Sequence, residues 1–164
     1  MKELLQQYAA YNQWANDRIL TAAETLSTEQ LHQQISSSFN SIWQTIFHLW
    51  GAEMLWWNRL QKGPHIAVVE DRFEGNITEL ANTMRRQDQQ FVHLVNNLAE
   101  NAFHEKLDYQ SMKGDPFSQE VYLLLQQVFN HGTYHRGQLV TMLRQAGAAT
   151  IPNTDFISWS RIPK

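Results

Sequence analysis

Four long segments of this chain repeat apolar residues every three or four positions, the spacing of one face of an α-helix. They cover about residues 2–26, 42–61, 76–102 and 119–146. Helices with one apolar stripe bury it by packing against one another. The pattern predicts an all-α fold, a four-helix bundle, in a single domain of residues 1–164.

Local signals mark where the helices begin and end. Asn76 followed by Glu79 is a capping-box pattern, and Gly147 is typical of the residue just after a helix. Between the third and fourth helices, the turn signal at residues 114–116 favours a short hairpin. None of the connections is a two- or three-residue turn, so the pattern alone leaves antiparallel and crossed topologies open.

Composition narrows the chemistry of such a bundle. The chain has no cysteine, so any metal must be held by His, Asp or Glu, and any reactive thiol must arrive with a small molecule. A net charge of -3 without a basic stripe argues against nucleic acid as a partner. The apolar runs are too short to span a membrane, and the first residues lack a signal-peptide core, which indicates a cytoplasmic protein.

Two histidines in the fourth helix, His131 and His135, carry the clearest chemical signal. Residues four positions apart lie about 40° apart around a helix and one turn apart along it, so both imidazoles can reach one ion. His48, near the middle of the second helix, is the candidate third ligand. Three histidines with open positions are typical of a reactive metal site. The alternative is three hydrogen-bonded histidines in the bundle core.

Gln138 lies seven positions after His131 and therefore shares its side of the helix. It is a candidate to bind a cosubstrate or to orient a ligand, or it lines the bundle end. No general acid or base can be named from the sequence. The remaining histidines are interpreted as surface residues: His32, His65, His93 and His104.

Three charged residues near these positions have less definite roles. Glu53 lies about 140° around the helix from His48, so we interpret it as a structural ion pair with an arginine. Arg136 points about 100° away from His135, which favours a salt bridge or an interface contact. Asp155 would approach the bundle if the C-terminal tail folds back.

Four segments of the chain carry motifs that are informative in combination. The first helix carries YNQWANDRIL at residues 11–20, and the second carries His48 followed by Glu53 and Trp56. The fourth helix carries HGTYHRGQL at residues 131–139, and the tail carries PNTDFISW at residues 152–159. Together these segments resemble the DinB-like family, which includes the YfiT-type metal-dependent hydrolases. The resemblance spans nearly the whole chain, and the helix-four motif with the first and last segments is fairly specific.

The resemblance implies an up-down-down-up bundle and a divalent ion, zinc or nickel, held by His48, His131 and His135. It also implies frequent homodimers. The family includes thiol transferases that use bacillithiol, and related bundles include mycothiol-dependent enzymes. One hypothesis is therefore a metal-dependent enzyme with a small thiol or water as nucleophile. The alternatives are a non-catalytic metal-binding or stress-response protein with a structural ion, and an interaction protein without metal.

Overall fold

The structure is a computed structural model that describes residues 1–63, 73 and 75–163. Four long helices in these residues form the bundle, and two short helices, a 3-10 helix and a hairpin connect or flank them. In chain order the elements are α1 (Lys2–Ala23), α2 (Thr28–His32), α3 (Ile42–Leu60), α4 (Ile77–Asn97), the 3-10 helix (Glu100–His104), β1 (Lys106–Gln110), β2 (Pro116–Glu120), α5 (Val121–Gln145) and α6 (Phe156–Ser160).

Contacts between helix ends give the direction of each long helix. The ammonium of Lys2, at the start of α1, donates to the carbonyl of Leu98, just past the end of α4, at 2.7 Å. The hydroxyl of Thr45, near the start of α3, contacts the sulfur of Met142, near the end of α5, at 3.4 Å. Helices α1 and α4 are therefore antiparallel, and so are α3 and α5.

Two apolar clusters fill the bundle, one towards each end. The first joins the end of α1 to the starts of α3 and α4 and the end of α5. The second joins the start of α1 to the end of α4 and the start of α5. Helices α1 and α5 therefore run in the same direction, and the predicted up-down-down-up order is confirmed. Buried polar side chains separate the clusters: Asn12, Asn16, Glu53, Asp88 and Arg136.

The helices end or begin up to five residues from the predicted positions, for local reasons. The first ends at Ala23 because Ser27 starts the separate helix α2, with its own capping box to Gln30. The third ends at Asn97, not near residue 102, because Leu98 adopts an extended backbone before the 3-10 helix.

The hairpin predicted between the third and fourth helices is confirmed. Strands β1 and β2 pair antiparallel, with Lys106 opposite Glu120 and Gln110 opposite Pro116. Gly114 lies in the connecting turn with a φ of 89°, a conformation that glycine adopts without steric cost. Because β2 continues to Glu120, α5 begins at Val121 rather than directly after Ser118.

None of the helices in the described residues is long and apolar enough to cross a membrane.

The capping box of α4 gives a test of this fold. The Asn76 side chain accepts from the backbone N–H of Glu79 at 3.0 Å, and the Glu79 carboxylate accepts from the Asn76 N–H at 2.8 Å. Replacing Asn76 by Ala should lower the free energy of unfolding by about 1 kcal/mol, because a helix-end N–H loses its acceptor. Asn76→Asp keeps the acceptor and should change it little. Urea unfolding of both variants measures this, and equal losses would contradict the cap.

Candidate metal centre

Helices α3 and α5 bring the three predicted histidines together. The Nε2 atom of His131 lies 3.3 Å from Nε2 of His48 and 3.0 Å from Nε2 of His135. Two imidazole nitrogens on one tetrahedral ion lie about 3.3 Å apart, given metal–nitrogen bonds of about 2.0–2.1 Å. In the described part of the chain, these three histidines alone form a group of possible ligands within 4.8 Å of one another. The donor set and its spacing therefore fit one divalent ion.

Burial keeps these imidazoles in the form that binds metal. Desolvation, with a smaller contribution from repulsion between the neighbouring imidazoles, lowers the pKa of His48 and of His131 from the ordinary 6.5 to about 4. Burial also lowers the pKa of His135, against a smaller opposing effect of its bond to Gln138. At neutral pH the rings are uncharged, so each can offer a nitrogen lone pair to an ion.

Gln138 sets the orientation of one of the rings. Its side-chain oxygen lies 2.8 Å from Nδ1 of His135. An amide oxygen can only accept, so Nδ1 carries the proton and Nε2 keeps its lone pair towards His131. The Gln138 amide nitrogen in turn donates to the hydroxyl of Ser38 at 2.8 Å. The geometry supports the predicted role in orienting a ligand, and contact with a cosubstrate stays a prediction.

The segment that precedes α3 covers the histidines. Phe39 stacks on the ring of His48, with centroids 4.1 Å apart, and its centroid lies 5.8 Å from that of His135. Tyr134 meets His135 edge-on at 4.9 Å and is 58% exposed. Aromatic rings from the loop before α3 and from α5 therefore pack beside the histidines. Sequence reasoning missed Phe39; its place two residues before the cap of the His48-bearing helix was the available signal.

Arg136 and Glu53 belong to the buried polar layer rather than to the histidine group. One guanidinium nitrogen of Arg136 donates to the side-chain oxygens of Asn12 and Asn16, at 2.6 and 2.7 Å. The amide nitrogens of both asparagines donate to Glu53, at 3.1 and 3.2 Å, and to Asp88. The expected ion pair of Glu53 with an arginine is thus replaced by a contact through two asparagine amides.

Gly132 makes room for this arrangement. A Cβ atom at Gly132 would lie 2.7 Å from Nη1 of Arg136 and 2.7 Å from the side-chain oxygen of Asn12. The HGTYHRG segment therefore serves two faces of α5. Its histidines point towards α3, while Gly132 and Arg136 pack against α1.

The other predicted surface histidines agree with the structure where it describes them. His32, His93 and His104 are exposed, whereas His65 lies outside the described residues.

The C-terminal tail folds back onto α1. The Tyr11 hydroxyl donates to the carbonyl of Thr154 at 2.7 Å. The Asp155 carboxylate accepts from the N–H of Ile157 at 2.9 Å and so caps α6. The described contacts give Asp155 a structural role.

The contact between Gln138 and His135 gives a test of ligand orientation. Gln138→Leu removes the acceptor that fixes the His135 tautomer, and we expect zinc affinity to fall by about 10–100-fold. Gln138→Glu keeps an acceptor and should retain affinity within a few-fold. Competition with a chromogenic chelator measures both, and wild-type affinity in the leucine variant would show that Gln138 does not orient His135.

Comparison with known proteins agrees with the fold. The DinB family matches residues 1–163. The Bacillus subtilis (strain 168) protein called "Protein DinB" is 31% identical over 153 residues, which cover 89% of this chain and 87% of that protein. A DinB-like crystal structure from Bacillus cereus ATCC 10987 has a TM-score of 0.72 at 21% identity, covering 92% of this chain and 95% of that one. Another, from Bacillus subtilis, has a TM-score of 0.68 at 17% identity, covering 91% and 98%. The chain belongs to the DinB family.

Proposed function

We propose that this protein binds one divalent metal ion through His48, His131 and His135. The convergence of the three Nε2 atoms, with separations of 3.0 and 3.3 Å around His131, carries the proposal. Neutral imidazole suits zinc, nickel, copper and iron, and the family resemblance favours zinc or nickel. The ion would join α3 to α5, so it would also stabilise the bundle.

We further propose that the site uses an external nucleophile. Three protein ligands leave a coordination position for another molecule. A divalent ion held there supplies Lewis acidity that lowers the pKa of a thiol or of water. Because the chain has no cysteine, a thiol must come from a low-molecular-weight cosubstrate. In the proposed reaction the thiol loses its proton and its sulfur replaces a leaving group on an electrophile, and that group departs with a proton. With water in place of the thiol, the corresponding reaction is hydrolysis.

The chain's own residues would prepare the site for this chemistry. Gln138 holds His135 in the tautomer that presents Nε2. The ring of Phe39 stacks on one face of the His48 ring and so holds that ligand in place. Tyr134 is exposed beside His135 and can contact an incoming molecule.

A non-catalytic role for the ion is the second candidate, and the surroundings of the histidines favour it in one respect. Apart from one another, the described partners of the three histidines in hydrogen bonds and ring contacts are Phe39, Tyr134 and Gln138, none of which is a carboxylate or a lysine. Glu53 is held in the polar layer by the asparagines of α1. In this version the ion holds α3 and α5 together and no turnover occurs.

A homodimer, which the resemblance implies, and a cytoplasmic location, which the sequence favours, belong to the same proposal and stay predictions.

Metal content tests the binding site. Untagged protein incubated with zinc or nickel and then dialysed should carry about one ion per chain by elemental mass spectrometry. His48→Ala, His131→Ala and His135→Ala should each lose most of it, because two imidazoles remain. His93→Ala, which changes an exposed histidine of α4, should retain it. Full occupancy in all three site variants would contradict the proposal.

Turnover assays separate the two candidate functions. Zinc- and nickel-loaded protein is mixed with several low-molecular-weight thiols, bacillithiol included, and a chromogenic electrophile. The enzyme proposal expects thiol consumption that chelation abolishes and that His131→Ala lacks. If chelation lowers the melting temperature but no thiol reacts and no ester is hydrolysed, the ion is structural.

A further inference from the structure

Two carboxylates in the buried layer share the same hydrogen-bond donors. The amide nitrogen of Asn12 lies 3.1 Å from a Glu53 oxygen and 3.1 Å from an Asp88 oxygen. The amide nitrogen of Asn16 lies 3.2 Å from the same Glu53 oxygen and 2.9 Å from the same Asp88 oxygen. Each amide nitrogen carries two hydrogens, so it can donate one hydrogen bond to Glu53 and one to Asp88. The two acids are therefore held at one place, between α3 and α4.

The charges at this place do not balance. The guanidinium of Arg136 is the cation of the layer, and it reaches the acids only through the oxygens of Asn12 and Asn16. Glu53, Asp88 and Arg136 are each 1% exposed. Two ionised carboxylates and one guanidinium would leave a buried net charge of -1, which is costly away from water.

One oxygen of the cluster lacks a donor. The second oxygen of Glu53 is buried and has no hydrogen-bond partner in the described residues. A buried carboxylate oxygen without a donor disfavours the ionised form. Burial accordingly raises the pKa of Glu53 to about 7, and it raises that of Asp88 well above the ordinary value, with Glu53 adding repulsion.

Other charged groups nearby leave the imbalance in place. Arg85 lies one turn before Asp88 on α4, but it forms ion pairs with Asp17 at 2.7 Å and Glu24 at 2.8 Å. Tyr11 lies under the guanidinium of Arg136, with 5.2 Å from the guanidinium carbon to the ring centroid, and adds no cation to the layer.

We propose that Glu53 and Asp88 share one proton in the folded protein at neutral pH, so that the cluster is a proton-dependent clamp across the four long helices. The shared proton makes the cluster neutral. The clamp joins α1, α3, α4 and α5 at the level between the two apolar clusters, so its ionisation weakens the packing of all four helices together. The inference does not depend on a bound metal.

The sign of the pH effect follows from the raised pKa. The folded protein keeps a proton that the unfolded chain releases above about pH 4.5. The stabilisation is therefore complete below that pH and is lost as the pH rises towards the pKa of the folded pair. Over this range one retained proton changes the unfolding equilibrium constant tenfold per pH unit, by about 1.4 kcal/mol.

Glu53→Gln provides the test, because it keeps the shape and one acceptor oxygen but removes the ionisation. Urea unfolding is measured from pH 5 to 9 with the metal content matched in every sample. The wild-type unfolding constant should rise relative to that of Glu53→Gln by up to tenfold per pH unit, and then level off above the pKa of the pair. Glu105→Gln, at an exposed acid, should run parallel to wild type. If Glu53→Gln does not fold, Asp88→Asn is used in its place.

Difference infrared spectroscopy on the wild type detects the proton directly. We expect the C=O stretch of a protonated carboxylic acid at pH 7, and its loss in Glu53→Gln. Absence of that band in the wild type, or parallel unfolding profiles for wild type and Glu53→Gln, would overturn the shared proton.

Discussion

The contact of Arg136 with Asn12 and Asn16 is the constraint on which the bundle depends. These three side chains are buried between the two apolar clusters. Each hydrogen bond requires one register of α1 against α5, and the bonds from the asparagines to Glu53 and Asp88 extend that requirement to α3 and α4. A slipped register would leave buried polar groups without partners, which is expensive.

The same register brings the histidines together. His48 lies five residues before Glu53 on α3, and His135 lies one residue before Arg136 on α5. Because the polar layer fixes those two helices, the imidazoles meet on a different face of α5 from Arg136. Gly132 allows this double use, since its missing side chain leaves space on the α1 side of α5 for the guanidinium of Arg136 and the side chain of Asn12. Structure and site therefore depend on one short segment of α5.

Much of this could be predicted from the sequence, because helical periodicity and histidine spacing are local signals. The four long helices, the hairpin and the grouping of His48 with His131 and His135 follow from such patterns. The predicted positions of the helix ends were less accurate. Leu98 is apolar and so continues the helical pattern, yet its backbone is extended, because its conformation depends on the 3-10 helix that follows. The covering of His48 by Phe39 depends on how a loop packs onto α3, and no periodicity in the sequence reports such a contact.

The central claim is that the three imidazoles hold one ion, and anomalous diffraction from crystals of zinc-loaded, untagged protein tests it most directly. We expect one anomalous peak at the zinc edge, at about 2.0–2.1 Å from the Nε2 atoms of His48, His131 and His135. Data collected on both sides of the edge identify the element. A zinc-loaded crystal whose anomalous peaks lie only elsewhere on the protein, with the three imidazoles still hydrogen-bonded to one another, would contradict the claim.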